Sequence, residues 1–580
     1  MTPDDFGGRT SGGGPMTPES LVRDLLTDLR SRVDPMDTGV IERAFALAQQ
    51  AHTGQMRKSG EPYLIHPVRV ATTIAALGLD AETIASGLLH DSIEDSELTV
   101  FDLTEEVGKD VANLVDGVTK LGKVPYLSRQ EQQAESFRKM LLAMSEDIRV
   151  LLVKLADRLD NMRTLEHMPR EKQLRIGRET MDIYAPLAHR LGVQSIRCEL
   201  EDLSFRYLEP AVYRSVRERL DALLASNPEF VDNGLQELRD AYLNPGTEEG
   251  VEPISWDQEV HGPVVFRASI RTPHQVHRAN NGSIGDLEHV DLANYEIITR
   301  DRGTCYYSLG ILHAHFKPVP GQFRDHIALP RPNRYRALHT TVINSRGVRR
   351  RVLIRSEEMD DVAQRGVVAH WKHQDAGSLR AHWSNLAWLR QLMDWQGEVT
   401  DPHEFIAAVK ADLFADEVYV FTPKGDARVF CKGATPIDFA YSIHTDVGTH
   451  CSAARVNGQL VPLRYQLRQG DTIEIIASAT SRPRREWLKM CGSSRARARI
   501  KQYLRHEQRD QLKGLGRRFV ARELAARDVD LADLEADGLV ELAAAKFELP
   551  RDYKGVDGLY EALGAGLVDL TEVCATLCPR

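Results

Sequence analysis

The first third of the chain has the apolar spacing of amphipathic helices. From residue 18 to residue 208, apolar side chains recur every three or four positions, with clear helical faces at 40–52, 67–77, 81–89 and 137–144. This recurrence places apolar side chains on one side of each helix, where they can pack into a core. Few strand signals interrupt the pattern, so we predict an all-helical domain over 18–208.

The pattern changes after residue 208 and predicts a multidomain protein. Residues 209–260 are acidic and helical and indicate a connector, whereas residues 261–375 mix strand and helix signals and predict an α+β domain. Alternating or apolar runs at 417–421, 427–430, 454–457 and 471–476, with a helix at 435–444, predict a small β domain over 411–478. The remaining segments are a glycine-rich arm expected to be disordered at 1–17, a helical linker at 376–410, and a basic, then helical, region at 479–580.

Composition, charge and cysteine content exclude several classes of protein. The 580 residues are 42% hydrophobic and 27% charged with a formal net charge of −10, which is typical of a soluble protein and not of a cationic nucleic-acid coat. No stretch approaches the roughly 20 apolar residues of a membrane span, and the N-terminus lacks a signal-peptide core. Seven scattered cysteines form no disulfide framework. We therefore expect a cytoplasmic protein with no membrane partner.

Residues 88–95, Leu-Leu-His-Asp-Ser-Ile-Glu-Asp, place four polar groups in an otherwise apolar helical run. His90 and Glu94 are four positions apart, as are Asp91 and Asp95, so a helix aligns each pair on one face. One imidazole and three carboxylates this close repel one another unless a divalent cation binds or some are protonated. The alternative is a capped helix with a solvated acidic end, which this stretch alone favours.

An imidazole and two cations stand one helix before that stretch. In 55–70, a turn at Gly60 is followed by His66, which precedes a proline at a predicted helix start and can be aimed at a shared metal. Arg57 and Lys58 offer adjacent cations to a phosphate-rich ligand. Taken singly, His66 is more often structural, and the two cations are more often merely exposed.

A third segment carries polar residues at helical spacing. In 147–165, Lys154, Asp157, Asn161 and Thr164 form a single helical stripe. Asp157 lies among apolar residues, and burying a carboxylate is costly unless it is paired or bound to a metal. Metal ligation and a simple ion-paired cluster of Lys154, Asp157 and Arg158 are equally good interpretations at this point.

Together these segments resemble the HD-type hydrolase domain of the RelA/SpoT family, enzymes of the alarmone (p)ppGpp. The matching strings are Arg-Lys-Ser-Gly-Glu-Pro-Tyr-x-x-His-Pro, Leu-Leu-His-Asp-x-x-Glu-Asp and Val-Lys-Leu-Ala-Asp-Arg-Leu-x-Asn-Met-Arg-Thr-Leu, in that order. The resemblance implies hydrolysis at the 3′ phosphate of (p)ppGpp, which releases pyrophosphate and leaves GDP or GTP. Asp160 departs from the family, which commonly has histidine there, and we expect little effect on catalysis.

The same resemblance implies roles for particular residues. The implied Mn²⁺ ligands are His66, His90, Asp91 and Asp157, and the residues that handle the attacking water are Glu94 and Asp95. The implied nucleotide-binding residues are Arg57, Lys58, Ser59, Lys154, Asn161 and Thr164.

Residues 307–373 resemble the (p)ppGpp synthetase domain of the same family, but its catalytic residues do not follow. Tyr335 corresponds to the tyrosine that stacks on the acceptor guanine. Arg351 stands where the family has its catalytic glutamate, and Glu296, in the string that begins at Asp291, reverses the charge of the family's arginine. The lysine-rich ATP segment is replaced by His-Arg-Ala-Asn-Asn-Gly at 277–282, and Gln364 replaces a glutamate. We therefore expect a degenerate synthetase that serves as a regulatory module.

The strings Val-Tyr-Val-Phe-Thr-Pro-Lys-Gly, Gly-Ala-Thr-Pro-Ile-Asp-Phe-Ala-Tyr-x-Ile-His and Val-Asn-Gly-x-x-Val-Pro-Leu resemble a TGS domain, a β-grasp module. That resemblance implies an RNA contact through His444, with tRNA or the ribosome as partner. Residues 482–501 carry eight Lys and Arg against Glu486, which suits RNA phosphates and equally suits a solvated surface. The leading hypothesis is a Mn²⁺-dependent hydrolase; a non-catalytic sensor of nucleotide or tRNA and a bifunctional synthetase/hydrolase are the alternatives.

Overall fold

The computed structural model describes residues 17–31, 36–120, 139, 142–143, 146–243, 256–280, 292–331, 333–373, 417–527, 529–547, 549 and 553–578. The chain divides into two compact units, Met1–Phe414 and Ala415–Arg580. The glycine-rich arm, the helical linker at 376–410 and most of the predicted helix at 137–144 lie outside the described residues. The multidomain fold class predicted from the sequence is confirmed, with a helical region, a mixed sheet and a smaller β region.

The first part of the first unit is helical, as predicted. Its helices pack around one core, in which Ile41, Ile74, Leu88 and Leu151 are fully buried. The helices are α1 (Pro18–Ser31), α2 (Gly39–Ala51), α3 (Ile65–Leu77), α4 (Ala81–Leu89), α5 (Ser92–Asp95), α6 (Val100–Val107), α7 (Lys109–Lys120), α8 (Arg149–Arg163), α9 (Arg170–Glu179), α10 (Ala185–Leu191) and α11 (Gln194–Leu208), with a 3₁₀ turn at Leu165–His167 and a π-helical turn at Thr180–Tyr184.

Glycine and aspartate set the antiparallel contact between α3 and α4. Gly78 ends α3 with φ +84°, a left-handed conformation that glycine adopts without steric penalty. Asp80 then caps α4 by accepting a hydrogen bond from the Thr83 backbone N–H at 2.8 Å. At Gly87 a Cβ atom would lie 2.6 Å from Ile74 Cδ1, so a larger residue would force the Ile74 side chain to move. The close contact brings the start of α3 beside the end of α4.

The second part of the first unit contains a six-stranded mixed sheet. Its strand order is β1-β2-β6-β5-β3 with β4 paired to β5; β2 and β6 are parallel, with Asn294 opposite Arg351, and the other pairs are antiparallel. The elements are α12 (Pro210–Ser226), α13 (Phe230–Leu243), α14 (Gln258–His261), β1 (Val265–Ile270), α15 (Pro273–Ala279), β2 (Ala293–Thr299), α16 (Arg302–His315), β3 (Lys317–Pro318), β4 (Arg324–Asp325), β5 (Leu338–Ile343), β6 (Arg349–Ser356), α17 (Glu357–Arg365) and a 3₁₀ helix at Gly366–His373.

Two helices of the segment predicted as a connector belong to the core of this α+β region. Leu238 and Tyr242 of α13 are buried in the cluster that includes the strands, and Val216 and Leu220 of α12 pack in a cluster with Val276 of α15. The acidic composition of 209–243 concealed these buried apolar positions. The segment 209–260 therefore contributes to the core of the α+β region as well as joining two domains. The domain boundaries given by the sequence stay predictions.

A buried ion cluster joins α11 to α15 within the first unit. Glu201 Oε1 lies 3.0 Å from Arg197 Nε, and Oε2 lies 3.5 Å from His274 Nδ1. Burial raises the pKa of Glu201, but the hydrogen bond from His274 and the charge of Arg197 outweigh it and lower the pKa to about 2. The ionised form is therefore favoured in the folded protein.

We expect Glu201→Gln to lower the free energy of unfolding of the first unit by about 2–4 kcal/mol at pH 7. Because the folded-state pKa lies below the ordinary value of 4.5, the stabilisation is complete above pH 4.5 and is lost as the pH falls toward 2. Thermal unfolding of both proteins from pH 7 to pH 3 measures this, with exposed Glu218→Gln as the control. A difference in melting temperature that does not shrink with falling pH contradicts the assignment.

The second unit contains two small sheets followed by helices. Its strands are β7 (Glu417–Phe421), β8 (Ala427–Cys431), β9 (Cys451–Val456), β10 (Gln459–Val461) and β11 (Ile473–Ala477), arranged as β7-β8 and β10-β9-β11. Four of these strands overlap the runs that the sequence predicted, and β10 was not predicted. The helices are α18 (Pro436–Ile443), α19 (Thr445–Thr449), α20 (Trp487–Met490), α21 (Ser494–Ala525), α22 (Leu531–Ala536), α23 (Leu539–Ala544), α24 (Gly555–Gly564) and α25 (Leu570–Leu577).

Asp438 of α18 ties the small β region to the start of α21. The side chain is 2% exposed and accepts hydrogen bonds from the backbone N–H groups of Gly492 at 2.9 Å and Ser493 at 2.8 Å.

All seven cysteines are free thiols, as the composition predicted. Among the described helices, none combines the length and the apolar character that crossing a bilayer requires.

Candidate metal centre

Four of the predicted ligand side chains converge at one point of the helical region. His66 Nε2 lies 3.3 Å from Asp157 Oδ1 and 3.7 Å from Asp91 Oδ2. His90 Nε2 lies 3.2 Å from the same Asp91 oxygen and 3.8 Å from the same Asp157 oxygen. The start of α3, the end of α4 and the middle of α8 supply these residues, so three segments far apart in sequence build one cluster.

The second nitrogen of each imidazole is held by an acceptor that fixes the ring. His90 Nδ1 lies 2.9 Å from the Gly87 carbonyl oxygen, and His66 Nδ1 lies 2.6 Å from Asp160 Oδ2. Both acceptors require a proton on Nδ1, so each ring turns Nε2 toward the cluster as the atom that would bind a cation. His90 Nε2 is buried and has no hydrogen-bond partner among the described residues.

Two imidazole nitrogens and two carboxylate oxygens fit a divalent cation. The three buried members, His66, His90 and Asp157, offer ligand atoms that all lie within 4.8 Å of one another. A divalent cation at the cluster would replace the Nε2 proton of His90 and bind this buried nitrogen directly. A mixed set of imidazole and carboxylate suits first-row divalent ions, and it does not distinguish between them.

The electrostatics of the cluster match this arrangement. Burial lowers the pKa of His90, but the charges of Asp91 and Asp157 outweigh it and raise the pKa to about 9. Burial raises the pKa of Asp157, but the Lys154 ammonium and the two imidazoles hold it well below its ordinary value. Burial likewise raises the pKa of Asp91, but the charge of His90 outweighs it and lowers the pKa. Both carboxyl groups are therefore ionised beside a protonated His90, whose positive charge a divalent cation would replace.

Asp157 pairs with Lys154, as the alternative interpretation of an ion-paired group required, but it does not pair with Arg158. Its Oδ2 accepts a hydrogen bond from Lys154 Nζ at 2.6 Å, and its Oδ1 accepts one from the Asn161 amide. Arg158 instead pairs with Glu179 at 3.1 Å. The predicted stripe on α8 is thus present, while the three-residue ion cluster is not formed.

The continuous helix predicted through 88–95 is interrupted. Helix α4 ends at Leu89, His90 and Asp91 form a turn, and the short helix α5 restarts at Ser92. The backbone N–H groups of Glu94 and Asp95 both donate to the Asp91 carbonyl oxygen at 3.0 Å. The turn points Asp91 at the cluster and leaves Glu94 and Asp95 exposed at its edge.

Tyr63 also contacts this cluster, although its place in the sequence does not mark it as a site residue. Its hydroxyl donates to Asp91 Oδ2 at 2.6 Å and lies 3.1 Å from Asp95 Oδ2, so it links a ligand carboxylate to one of the exposed acids. Burial and the Asp91 charge raise the pKa of Tyr63, which keeps the hydroxyl protonated as a donor. The only sequence signal was its place inside the string that contains His66.

The predicted nucleotide-binding residues gather on one side of the cluster. Arg57 donates to Asn161 Oδ1 at 2.7 Å, to Asp160 Oδ2 at 3.0 Å and to Thr164 Oγ1 at 3.3 Å. Their positions are set by α8 and by a tight turn that ends at Gly60, whose φ is +85°. Lys58 is exposed, and Ser59 Oγ lies 3.3 Å from Glu61 Oε2. The structure thus places Arg57 beside Asp160, Asn161 and Thr164, next to the cluster, and leaves Lys58 exposed on the adjoining turn.

Asp160 has a larger part in the geometry than the sequence suggested. It was expected to have little effect, yet it is 1% exposed and contacts both His66 and Arg57. The signal that could have found it is its spacing of three from Asp157, which places the two carboxylates on neighbouring faces of α8.

The residues singled out in the other regions belong to other elements of the chain. Tyr335 packs against His339, with its hydroxyl 2.9 Å from His339 Nε2, and burial raises its pKa. Arg351 lies on β6 beside Asn294 of β2. Asp291 lies outside the described residues. His444 is exposed and begins α19, where its Nδ1 accepts from the Asp446 backbone N–H at 3.2 Å.

Three family models match successive parts of the chain. An HD domain matches residues 44–194, a region found in RelA / SpoT proteins matches residues 274–378, and a TGS domain matches residues 418–477. The first match spans all four converging ligands, and the second spans most of the mixed sheet.

Curated relatives match along most of the chain. A protein named GTP pyrophosphokinase from Myxococcus xanthus is 43% identical over 552 residues, 94% of this chain and 70% of that protein. A guanosine-3′,5′-bis(diphosphate) 3′-pyrophosphohydrolase from Aquifex aeolicus is 43% identical over 84% of this chain and 68% of that protein. The bifunctional (p)ppGpp synthase/hydrolase SpoT of Escherichia coli K12 is 42% identical over 83% of this chain and 67% of that protein.

Proposed function

Because the chain belongs to the RelA/SpoT family, we propose that its helical domain is a guanosine-3′,5′-bis(diphosphate) 3′-pyrophosphohydrolase. Its substrate is (p)ppGpp. Water adds to the phosphorus attached to the 3′ oxygen, the bond from that phosphorus to the 3′ oxygen breaks, and the products are pyrophosphate and GDP or GTP. The observation that carries the proposal is the convergence of His66, His90, Asp91 and Asp157 beside exposed acids and cations.

These four residues hold a divalent cation, and Mn²⁺ is the ion we propose. When bound, the cation supplies a Lewis acid that polarises water and stabilises charge developing on the phosphoryl group. The buried Nε2 atoms and the ionised carboxylates favour a doubly charged ion over a monovalent one. The choice of Mn²⁺ over other first-row ions rests on the family resemblance.

The remaining residues of the site act on the attacking water and on the phosphate groups of the substrate. Glu94 and Asp95, exposed at the edge of the cluster, accept the proton of the attacking water. The Tyr63 hydroxyl holds Asp95 in place. Arg57 and Lys58 supply positive charge for the diphosphate groups, and the hydrogen bonds from Arg57 to α8 orient its guanidinium.

Purified protein incubated with Mn²⁺ and ppGpp tests this function. We expect pyrophosphate and GDP in equal amounts, and no release after the metal is removed with a chelator. A parallel titration with Mn²⁺ establishes occupancy. A protein that binds the metal but releases no pyrophosphate from ppGpp or pppGpp is not this hydrolase, and a purely nucleotide-sensing role then replaces the proposal.

We also propose that synthetase activity is lost. Two acidic residues of this region form ion pairs with arginines. Glu296 of β2 pairs with Arg355 at 2.9 Å, and Asp360 of α17 pairs with Arg267 at 2.7 Å and with Arg355 at 2.9 Å. Arg355 is 3% exposed, so these pairs are largely shielded from water. Arg351 also puts a cation at the position where a catalytic glutamate is expected.

With ATP, GDP and Mg²⁺, we expect no detectable ppGpp from this protein. The assay uses the Asp157→Asn variant, because loss of hydrolysis there allows any product to accumulate. A curated bifunctional relative assayed alongside shows that the conditions support synthesis. Accumulation of ppGpp above the background without enzyme contradicts the loss of synthetase activity.

For the second unit we propose an RNA contact. The exposed His444 imidazole at the start of α19 and the basic residues that lead into α21 support it. The partner proposed from the TGS resemblance is tRNA or the ribosome. Binding of labelled tRNA that weakens steeply with rising salt, and weakens further in His444→Ala, is the expected result.

A further inference from the structure

We infer that Asp160 is a positioning residue that couples the His66 imidazole of the metal centre to the Arg57 guanidinium of the nucleotide patch. The inference rests on the proposed hydrolase function and extends it to a residue with no role in that proposal. A single oxygen, Asp160 Oδ2, lies 2.6 Å from His66 Nδ1 and 3.0 Å from Arg57 Nη1. One carboxylate therefore contacts both halves of the site.

The contact with His66 decides which nitrogen faces the cluster. A carboxylate can only accept, so His66 carries a proton on Nδ1 and turns Nε2, the atom that would bind a cation, toward Asp91 and Asp157. A hydrogen bond of this kind also makes a ligating imidazole more basic and fixes the plane of its ring. The corresponding acceptor for His90 is a backbone carbonyl, so among the two imidazoles His66 alone depends on a side chain.

The contact with Arg57 orients a side chain of the nucleotide patch. Arg57 also donates to Asn161 and Thr164, but Asp160 is its only charged acceptor among the described residues. Charge-assisted hydrogen bonds of arginine to carboxylate are stronger and more directional than bonds to neutral acceptors. Loss of the Asp160 charge therefore loosens Arg57 as well as His66.

A stabilising ion pair alone does not account for this carboxylate. Asp160 is 1% exposed, and its second oxygen, Oδ1, is buried with no hydrogen-bond partner among the described residues. A half-satisfied buried carboxylate is a poor choice for stability, because desolvation of the charge offsets much of the gain from pairing. Its contacts with His66 and Arg57, which hold both side chains in place, explain a buried carboxylate at this position.

The test compares Mn²⁺ binding and ppGpp kinetics in the full chain before and after Asp160→Asn. Asparagine has the same shape and can place its carbonyl oxygen at the position of Oδ2, so the main loss is the negative charge. Calorimetric titration with Mn²⁺ alone is expected to show affinity weakened about 10- to 100-fold. At saturating Mn²⁺, we expect KM for ppGpp to rise about 3- to 10-fold while kcat changes less.

The matched control is Asp147→Asn, at the N-terminal side of the same helix. The Asp147 carboxylate accepts from Arg149 Nη2 at 2.6 Å and touches neither His66 nor Arg57. Its Mn²⁺ affinity and KM are expected to stay within about twofold of wild type. If Asp160→Asn does not fold, as judged by circular dichroism, Asp160→Ser is used, because its smaller side chain fits the site and also removes the charge.

A folded variant whose Mn²⁺ affinity and KM both match wild type overturns the inference. So does a variant that changes only the melting temperature, because that is what a merely structural role predicts. The metal titration requires no turnover, so the two proposals fail separately. Wild-type protein that binds Mn²⁺ without hydrolysing ppGpp disproves the hydrolase and leaves the effect of Asp160 on the metal centre measurable.

Discussion

Asp157→Asn is expected to lower kcat/KM for ppGpp by about 10³-fold or more, because a bound cation supplies several kcal/mol of transition-state stabilisation and each 1.36 kcal/mol is a factor of ten. Asp157 Oδ1 is the oxygen that faces both imidazoles, at 3.3 Å from His66 Nε2 and 3.8 Å from His90 Nε2. Asp91 Oδ2 also faces both imidazoles, but its side chain is 23% exposed, whereas that of Asp157 is 6% exposed. The same substitution should therefore weaken Mn²⁺ binding measured by calorimetry.

Folding has to be separated from catalysis in this variant. Asparagine keeps the shape of the side chain, but Lys154 loses the carboxylate that it contacts at 2.6 Å, and some loss of stability follows. Circular dichroism and the melting temperature show whether the protein is folded at the assay temperature. Exposed Asp110→Asn, outside the site, serves as the matched control. Wild-type pyrophosphate release by folded Asp157→Asn would exclude the proposed metal centre.

Much of the helical site could be predicted from the sequence because its residues recur at helical spacing. Lys154, Asp157 and Asn161 lie at i, i+3 and i+7, and the structure joins them through hydrogen bonds on one face of α8. His66 and Asp157 are 91 positions apart, and no local spacing rule predicts their contact. Only the resemblance to a family connected these segments before the fold was known.

The features that were missed depend on tertiary packing. The turn at His90 and Asp91 contains no glycine or proline, so no local signal marked the end of α4. Tyr63 and Asp160 act through side-chain contacts across segments, at separations of 28 and 94 residues from their partners. In the predicted connector, Val216, Leu220 and Leu223 have helical apolar spacing that acidic neighbours obscured. Burial of these positions requires Phe230 of α13 and Val276 of α15, which lie later in the chain.

Glu94→Gln and Asp95→Asn are each expected to lower kcat by about 10²- to 10⁴-fold, the usual contribution of a general base. Neither carboxylate takes part in the convergence of His66, His90, Asp91 and Asp157, so both variants should bind Mn²⁺ within about twofold of wild type. This separation of turnover from metal affinity distinguishes them from Asp157→Asn. Steady-state kinetics at saturating Mn²⁺, with a calorimetric titration of each variant, provide the measurement.

The matched control is Glu97→Gln, an exposed glutamate two positions beyond Asp95. It should retain wild-type kcat, because it takes no part in the cluster. The variant therefore controls for the general effect of removing one negative charge near the site. Asp95→Asn also removes an acceptor of the Tyr63 hydroxyl, which keeps its contact with Asp91 at 2.6 Å. Tyr63 therefore holds the ligand in place, and the metal site stays formed. Loss of Mn²⁺ binding in either variant would make that residue a ligand instead of a base, and retained turnover in both would place the base elsewhere.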